Sequence, residues 1–358
     1  MRTNLRIVWA IAAKDIGDAI KNKTTLTALL VVLFMIAFYR FMPALENSDP
    51  IPNVLVYDAG ASSLVEALEG SLQVNLYTYS SQETMVFYLR KGDVPELGLV
   101  IAADFDRAVA SGQEGVLEGY VMHWVGDEDA QALKTAVEDE LIALLGRPVR
   151  IELEGHTVYT QKDSTGLGFI AALSAMFATL MIGITTIPHL MIEEKKAKTI
   201  ESLLVSPAGS GHVVIGKALA GAFYSLILVA VVLIVNAALI THWALAALVS
   251  VCGVLFAVAV GLFLGSIVEN RMQLNLWAWV FILPLLLPVF LSIMTDLLPE
   301  AAIAVMRCIP TVAFSRALRV SFAERAPLAD FGPELALVLG CTALVLAAVM
   351  WQVRRSDR

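Results

Sequence analysis

A nucleotide-binding pattern is almost complete between Gly211 and Ala218. Gly211, Gly216 and Lys217 match G-x-x-x-x-G-K-[ST], but Ala218 stands where a serine or threonine hydroxyl would bind Mg²⁺. The stretch also follows no predicted strand, and it continues into an apolar segment. We therefore expect that this chain does not hydrolyse ATP.

No other set of residues has the spacing of a catalytic or metal site. The five histidines are scattered, no Cys-x-x-Cys or Cys/His pattern occurs, and no nucleophile accompanies a base. No acidic residue lies at the centre of an apolar run, which argues against a proton relay. The sequence predicts no catalytic residue, cofactor or metal in this chain, and no nucleic-acid partner.

The composition indicates a chain that is solvated largely by lipid. Of its 358 residues, 58% are hydrophobic and 16% are charged, whereas a typical soluble protein has roughly 25% charged residues. Between Glu46 and Asp163 there are 21 acidic and 7 basic residues, against 12 acidic and 18 basic residues elsewhere. An acidic, water-soluble block is thus inserted into a basic, apolar body.

Six apolar runs reach the roughly 20 residues needed to cross a bilayer. We predict spans at Thr25–Met42, Gly166–Ile192, Lys217–Ile240, Trp243–Val268, Gln273–Met294 and Glu334–Val353. The predicted fold class is an α-helical polytopic membrane protein with six transmembrane helices and an inserted soluble α/β domain. The predicted domains are 1–24, an amphipathic interfacial helix; 25–45, the first transmembrane helix; 46–163, the extracytoplasmic α/β domain; 164–192, the second transmembrane helix; 193–216, a cytoplasmic loop; 217–353, the third to sixth helices; and 354–358, a cytoplasmic tail.

Within the acidic block, strand-like runs alternate with helix-like runs. Strands are predicted at 52–58, 74–80 and 97–103, and helices at 62–70, 82–92 and 127–146.

The first helix is predicted to lie in the headgroup plane of the membrane. Its apolar face would carry Leu5, Trp9, Ala12, Ile16 and Ile20, and its polar face Lys14, Asp15, Asp18 and Lys21.

Topology follows from the basic residues of the short loops, which all fall on one side if there are six crossings. Both termini are then cytoplasmic, the acidic block lies outside, and the chain resides in the plasma (inner) membrane. The segment 297–332 is too charged to span. We expect it to form short helices, broken at Pro310, that lie on or dip into the outer interface.

The loop between the second and third spans is short and charged. Its helical stretch EEKKAKTIESLL (193–204) ends before Pro207, and the chain re-enters the membrane at Lys217. A force applied to this loop would therefore reach two spans at once.

This loop resembles the coupling loop of type-2 ABC exporter permeases. The shared pattern is E-x-x-x-x-T-x-E-x-L-L-x-x-P followed by G-K, which is matched by Glu194, Thr199, Glu201, Leu203, Leu204, Pro207, Gly216 and Lys217. Lys198 replaces the glycine that usually precedes the threonine in the family. Residues 14–26 resemble the family's connecting helix, and the order of elements matches over nearly the whole chain.

The resemblance implies a half-transporter. Two six-span permeases, either two copies or this chain with a homologue, would form the pathway at their interface. Two separate ATPase subunits, which hold ATP and Mg²⁺, would grip the coupling loops from the cytoplasm. The resemblance assigns ATPase coupling to Glu194, Lys198, Thr199, Glu201, Leu203, Leu204 and Pro207.

Within the spans, two amides and two prolines are candidates for a gate or pathway. They are Asn236, Asn275, Pro284 and Pro288. The prolines would kink or break the fifth span, and the amides could contact substrate or hold helices together. Gly261 and Gly265 form a G-x-x-x-G pair that favours close helix packing.

The charge-poor spans favour export of a lipophilic or amphipathic small molecule, and the resemblance also allows an ion. The alternative function is a membrane-anchored receptor or sensor that binds a ligand through the acidic outer domain. A receptor needs only a membrane anchor, so six spans joined by a short charged loop argue against this alternative.

Overall fold

The computed structural model describes residues 2–21, 30, 34, 51–197 and 210–356. All but two positions of the first predicted span, Thr25–Met42, therefore lie outside the described residues. The described chain consists of an N-terminal helix, α1 (Arg2–Lys21), a mixed α/β domain and a bundle of long apolar helices. The predicted fold class, a helical polytopic membrane protein with an inserted α/β domain, is confirmed.

The inserted domain is one mixed sheet with helices on both faces. Its strands are β1 (Asn53–Asp58), β2 (Asn75–Tyr79), β3 (Glu96–Ile101), β4 (Gly115–Met122), β5 (Val149–Glu152) and β6 (Thr157–Val158). Its helices are α2 (Ser63–Glu69), α3 (Gln82–Leu89), α4 (Phe105–Ala110) and α5 (Asp127–Leu145). The strand order is β2-β1-β3-β4-β5, with β6 also paired to β4. All neighbouring pairs are parallel except β3 with β4. The three predicted strands and three predicted helices are confirmed, whereas β4 to β6 and α4 were not predicted.

Side chains of β1 contribute alternately to two hydrophobic cores, one on each face of the sheet. Successive residues of a strand point to opposite faces of a sheet. Val54 and Val56 therefore pack with α2 and α5, while Leu55 packs on the other face with α3.

Five helices among the described residues are long and apolar enough to cross a membrane. They are α6 (Gly166–Ala197), α7 (Ser210–Val235), α8 (Trp243–Ile267), α9 (Arg271–Leu291) and α12 (Leu328–Ser356). They correspond to the second to sixth predicted spans. We call the end of the bundle that meets the α/β domain the domain end, and the opposite end, where α6 ends and α7 begins, the loop end.

Helices α6 and α8 form the centre of the bundle. A Cβ atom on Gly261 of α8 would lie 2.0 Å from the carbonyl oxygen of Gly183 on α6, and one on Gly265 would lie 2.8 Å from Met191 Sδ. The predicted role of the Gly261–Gly265 pair in close helix packing is confirmed.

Helix α9 lies at the periphery, with 17% of its apolar stretch buried against 72% for α8. Pro284 and Pro288 were expected to kink or break this span. The prediction of a break is wrong, because α9 continues from Arg271 to Leu291 with both prolines inside it. Thr311 of a neighbouring helix donates a hydrogen bond to the Leu285 carbonyl in the same region. The carbonyl groups that the two prolines leave without a helical N–H donor are those of Val280 and Pro284, so the Thr311 bond is made to a neighbouring carbonyl.

The segment 297–332 contains two short helices, α10 (Glu300–Arg307) and α11 (Pro310–Val320), which meet at an angle of 83°. The break lies at Pro310, as predicted. Helix α11 is buried in the bundle apart from the half-buried Pro310 and Arg316, which fits a segment that dips into the interface rather than one that lies on it. Its charges are tolerated because Arg316 and Arg319 both find partners next to the α/β domain.

Candidate functional site

The structure describes one of the seven predicted coupling residues. Glu194 lies in the last turn of α6. The other six positions lie outside the described residues and stay predictions: Lys198, Thr199, Glu201, Leu203, Leu204 and Pro207. Helix α6 enters this segment at Ala197 and α7 leaves it at Ser210, so two membrane helices connect directly to it.

The two helices that flank the segment also pack against each other. A Cβ atom on Gly221 of α7 would lie 2.4 Å from the Ile187 side chain of α6. Because α6 in turn packs closely on α8 through Gly183, a displacement applied between α6 and α7 would act on three helices of the bundle.

A buried ion pair joins α1 to α7 close to the same segment. Lys217 Nζ lies 3.3 Å from Asp15 Oδ2, and the two side chains are only 2% and 6% exposed. About two turns further along α7, the Tyr224 hydroxyl donates a hydrogen bond to the carbonyl of Ile16, the residue after Asp15. The prediction that Asp15 lies on a polar, headgroup-facing surface is wrong, because Lys217 supplies the opposite charge that makes burial of a carboxylate tolerable.

The packed face of α1 differs accordingly from the predicted apolar face. Val8, Ala12 and Asp15 are buried, whereas Trp9 is 68% exposed. Helix α1 is therefore fixed to the bundle by an ion pair as well as by apolar contacts.

The stretch that resembles a phosphate-binding loop, Gly211–Ala218, lies within the first turns of α7. Beyond the first turn of a helix the backbone N–H groups are used in helical hydrogen bonds, so they do not cradle a phosphate as a loop does. Among the described residues, no group of three or more His, Cys, Asp or Glu side chains could hold a metal ion.

A second set of contacts fixes the α/β domain to the domain end of the bundle. Arg316 Nη1 of α11 donates to Asp163 Oδ1 at 2.7 Å, and Arg319 Nη1 donates to the Ser164 carbonyl oxygen at 2.8 Å. Arg319 is 4% exposed, and its guanidinium lies 5.4 Å from the centre of the Phe169 ring. The segment that leaves the domain is thus bound to a helix buried among the spans.

The domain also rests on the first turn of α6 and on the start of α12. Gly166 has a positive φ of 33°, and a Cβ atom there would lie 2.8 Å from the carbonyl oxygens of Arg90 and Gly92, at the end of α3. Lys162 Nζ lies 2.7 Å from Asp330 Oδ1 of α12. A movement of the domain would therefore be transmitted to α6, α11 and α12.

His123 makes a further contact between the domain and the bundle. Its Nε2 lies 3.0 Å from the Leu239 carbonyl oxygen, and its ring stacks on Tyr159. Its Nδ1 is buried without a hydrogen-bond partner among the described residues. Burial lowers the pKa of His123 below its usual value, against the opposing effect of the Leu239 and Val158 backbone groups. The neutral imidazole, with Nε2–H donating to Leu239, fits these surroundings.

We expect acidification to destabilise the protein through His123. Because the folded-state pKa is below the unfolded value of about 6.5, the unfolded chain binds more protons as the pH falls through that value, and stability is lost on the acid side. Thermal unfolding of the wild type and of His123→Gln between about pH 8 and pH 5 measures this, and the variant should lose part of the pH dependence. His242→Gln, at a half-buried histidine bonded to the Glu324 carbonyl, is the matched control. Equal pH dependence in all three proteins would exclude the effect.

The four candidate gate or pathway residues are not brought together. Asn236 lies at the domain end, and its side chain donates to the Val232 carbonyl at 2.8 Å. Asn275 is exposed near the loop end of α9, Pro284 is exposed and Pro288 is half-buried.

The sequence-based prediction missed two sets of residues that now stand out. One is the Asp15–Lys217 pair, for which a lysine at the start of an apolar run was the available signal. The other is Arg316 with Arg319, whose spacing of three residues in an otherwise apolar stretch puts both on one helix face.

The model of the family described as ABC-2 family transporter protein matches residues 23–351. A comparison with curated proteins returns no match. The matched range runs from before the first predicted span to the last part of α12, and it includes the α/β domain and the segment between α6 and α7. This multi-pass membrane protein therefore belongs to the ABC-2 transporter family.

Proposed function

We propose that this chain is the permease subunit of an ABC exporter and is driven by a separate ATPase subunit through the coupling loop, residues 193–216. The observation that carries the proposal is the direct connection of α6 and α7 to that segment, in a chain of the ABC-2 family. The family supports a transport role together with an ABC ATPase, which would bind ATP and Mg²⁺. Glu194, Lys198, Thr199, Glu201, Leu203, Leu204 and Pro207 would contact that subunit.

In this proposal, movement of the ATPase displaces α6 and α7 together. Helix α1 moves with them because the Asp15–Lys217 ion pair joins it to α7. The contact of α6 with α8 extends the displacement to the centre of the bundle, and the linker at Asp163 and Ser164 extends it to the α/β domain. Both termini and the loop end would be cytoplasmic, and the α/β domain would lie outside the plasma membrane.

The pathway would form between this chain and a second copy or a homologue. The observation that favours α9 for that interface is its exposed face, since little of this apolar helix is buried within one chain. Asn275 and Pro284 are both exposed, on opposite sides of α9, so either would be free to contact the second permease or the substrate, whereas the Asn236 side chain bonds to the Val232 carbonyl.

The substrate class that fits the charge-poor spans is a lipophilic or amphipathic small molecule, with an ion as the second class. Stimulation of ATP hydrolysis by members of a compound panel, measured on the purified complex, tests this class. Stimulation by glycans alone would contradict it.

Affinity purification of the tagged chain from its native membranes in a mild detergent tests the partnership. We expect an ABC ATPase to co-purify with the wild type and to be lost from the double variant Glu201→Arg, Leu204→Asp. The matched control is Glu114→Arg with Leu72→Asp, at two exposed positions of the α/β domain, which should retain the ATPase. If no ATPase accompanies a well-folded wild-type protein, the exporter proposal fails and the receptor function becomes the one to test.

A further inference from the structure

A cavity of about 560 Å³ lies between the α/β domain and the domain end of the bundle. Its walls are formed by β6 and the linker that follows it, by the end of α3, and by the segment between α11 and α12. Sites for small molecules typically measure roughly 300–1,000 Å³. Because the apolar stretch of α6 begins at Gly166, just after the linker, the cavity lies at the level where the bundle leaves the hydrocarbon.

The charged groups of the cavity wall are not all neutralised by one another. They are Arg90, Lys162, Arg325, Asp163, Glu324 and Asp330. Asp163 is paired with Arg316 and Asp330 with Lys162. The guanidinium groups of Arg90 and Arg325 have no carboxylate partner among the described residues, and the remaining carboxylate, Glu324, belongs to an exposed residue.

The groups of this wall that an anionic ligand would pair are the guanidinium groups of Arg90 and Arg325. Both residues line the cavity, and Arg90 is half-buried whereas Arg325 is exposed. An arginine fork matches the geometry of a phosphate or carboxylate. Thr160 Oγ1 has no hydrogen-bond partner among the described residues, but it lies 3.6 Å from the position of a Cβ atom on Gly168 and so faces α6.

We propose that this cavity binds the phosphate or carboxylate headgroup of an anionic amphiphile at the membrane surface. The acidic α/β domain repels soluble anions, whereas an amphiphile is held at the surface by its apolar chains and enters from the side. Repulsion by distant carboxylates falls off within about 8 Å at physiological ionic strength. The electrostatic potential inside the cavity is therefore set mainly by the nearby arginines. This site requires no ATPase, and it goes beyond the proposed transport function.

Native mass spectrometry of the purified full-length chain in detergent, without an ATPase, tests the site. We expect phosphatidylglycerol to be retained about tenfold more tightly than phosphatidylcholine, as one charge-assisted bidentate contact allows. Arg90→Gln and Arg325→Gln should each weaken retention of phosphatidylglycerol about tenfold. Arg107→Gln, at an exposed arginine of α4, is the matched control and should leave it unchanged.

Three results would overturn the proposal. One is equal retention of the two lipids, and another is equal retention of phosphatidylglycerol by Arg325→Gln and Arg107→Gln. The third is complete displacement of the lipid by millimolar inorganic phosphate, which would assign the cavity to a free anion. Arg325 is exposed, so its substitution tests the site even if Arg90→Gln lowers the yield of folded protein.

Discussion

Gly261→Leu is expected to prevent assembly of the helix bundle. The first atom of any side chain at this position would lie 2.0 Å from the Gly183 carbonyl oxygen and 2.9 Å from its carbonyl carbon. Backbone atoms cannot rotate away as the end of a side chain can, so α6 and α8 must separate along their whole contact. The loss of stability should therefore exceed the roughly 1–3 kcal/mol that is typical of an overpacked core.

The yield of detergent-extracted, monodisperse protein and its thermal unfolding temperature measure this effect. Gly340→Leu is the matched control, because a Cβ atom on this glycine of α12 would meet nothing within 4 Å. It adds the same side chain to a membrane helix without a steric conflict. If the two variants are recovered and unfold alike, α6 and α8 do not approach each other as described.

Lys217→Met is expected to destabilise the attachment of α1 by about 3–5 kcal/mol, the usual cost of removing one partner from a buried ion pair. The methionine fills a similar volume but leaves the Asp15 carboxylate buried without the charge that now lies 3.3 Å away. Hydrogen exchange of the α1 amides and the unfolding temperature measure the loss.

The double variant Asp15→Asn, Lys217→Met should recover most of this loss, because it removes the buried charge as well as its partner. Lys14→Met, at the exposed lysine next to Asp15, is the control and should change stability by no more than about 0.5 kcal/mol. A double variant that is no more stable than Lys217→Met would show that the buried Asp15 charge does not cause the loss.

Much of the fold could be predicted because it depends on local patterns. The five described spans follow from hydropathy, and the strands β1 to β3 follow from short runs of branched and aromatic residues. Strand β4 was missed because it contains Gly115 and Gly119, and glycine is unusual within strands. Both glycines are required by the tertiary structure. A Cβ atom would lie 2.9 Å from Phe105 at the first position and 2.4 Å from Ile151 at the second.

The contacts that join the parts of the molecule could not be predicted, because they link residues far apart in the sequence. Helical periodicity put Asp15 among polar residues, and nothing local reveals a lysine 202 positions later. The charge of Arg319 likewise favoured a helix at the membrane interface. Its burial could not be predicted, because its partner is the backbone carbonyl of Ser164, and a backbone carbonyl has no sequence signature. Periodicity reports polarity, whereas burial of a charge depends on a partner that only the fold supplies.

Photo-crosslinking from the coupling segment tests the central claim most directly. A photoreactive amino acid is introduced at position 204 in place of Leu204, and the tagged chain is irradiated in its native membranes. Position 72 is the control, because Leu72 is 87% exposed in the α/β domain. We predict a crosslink from position 204 to an ABC ATPase and none from position 72. An ATPase crosslinked at position 72 but not at position 204 would contradict both the coupling role of the segment and the orientation of the chain.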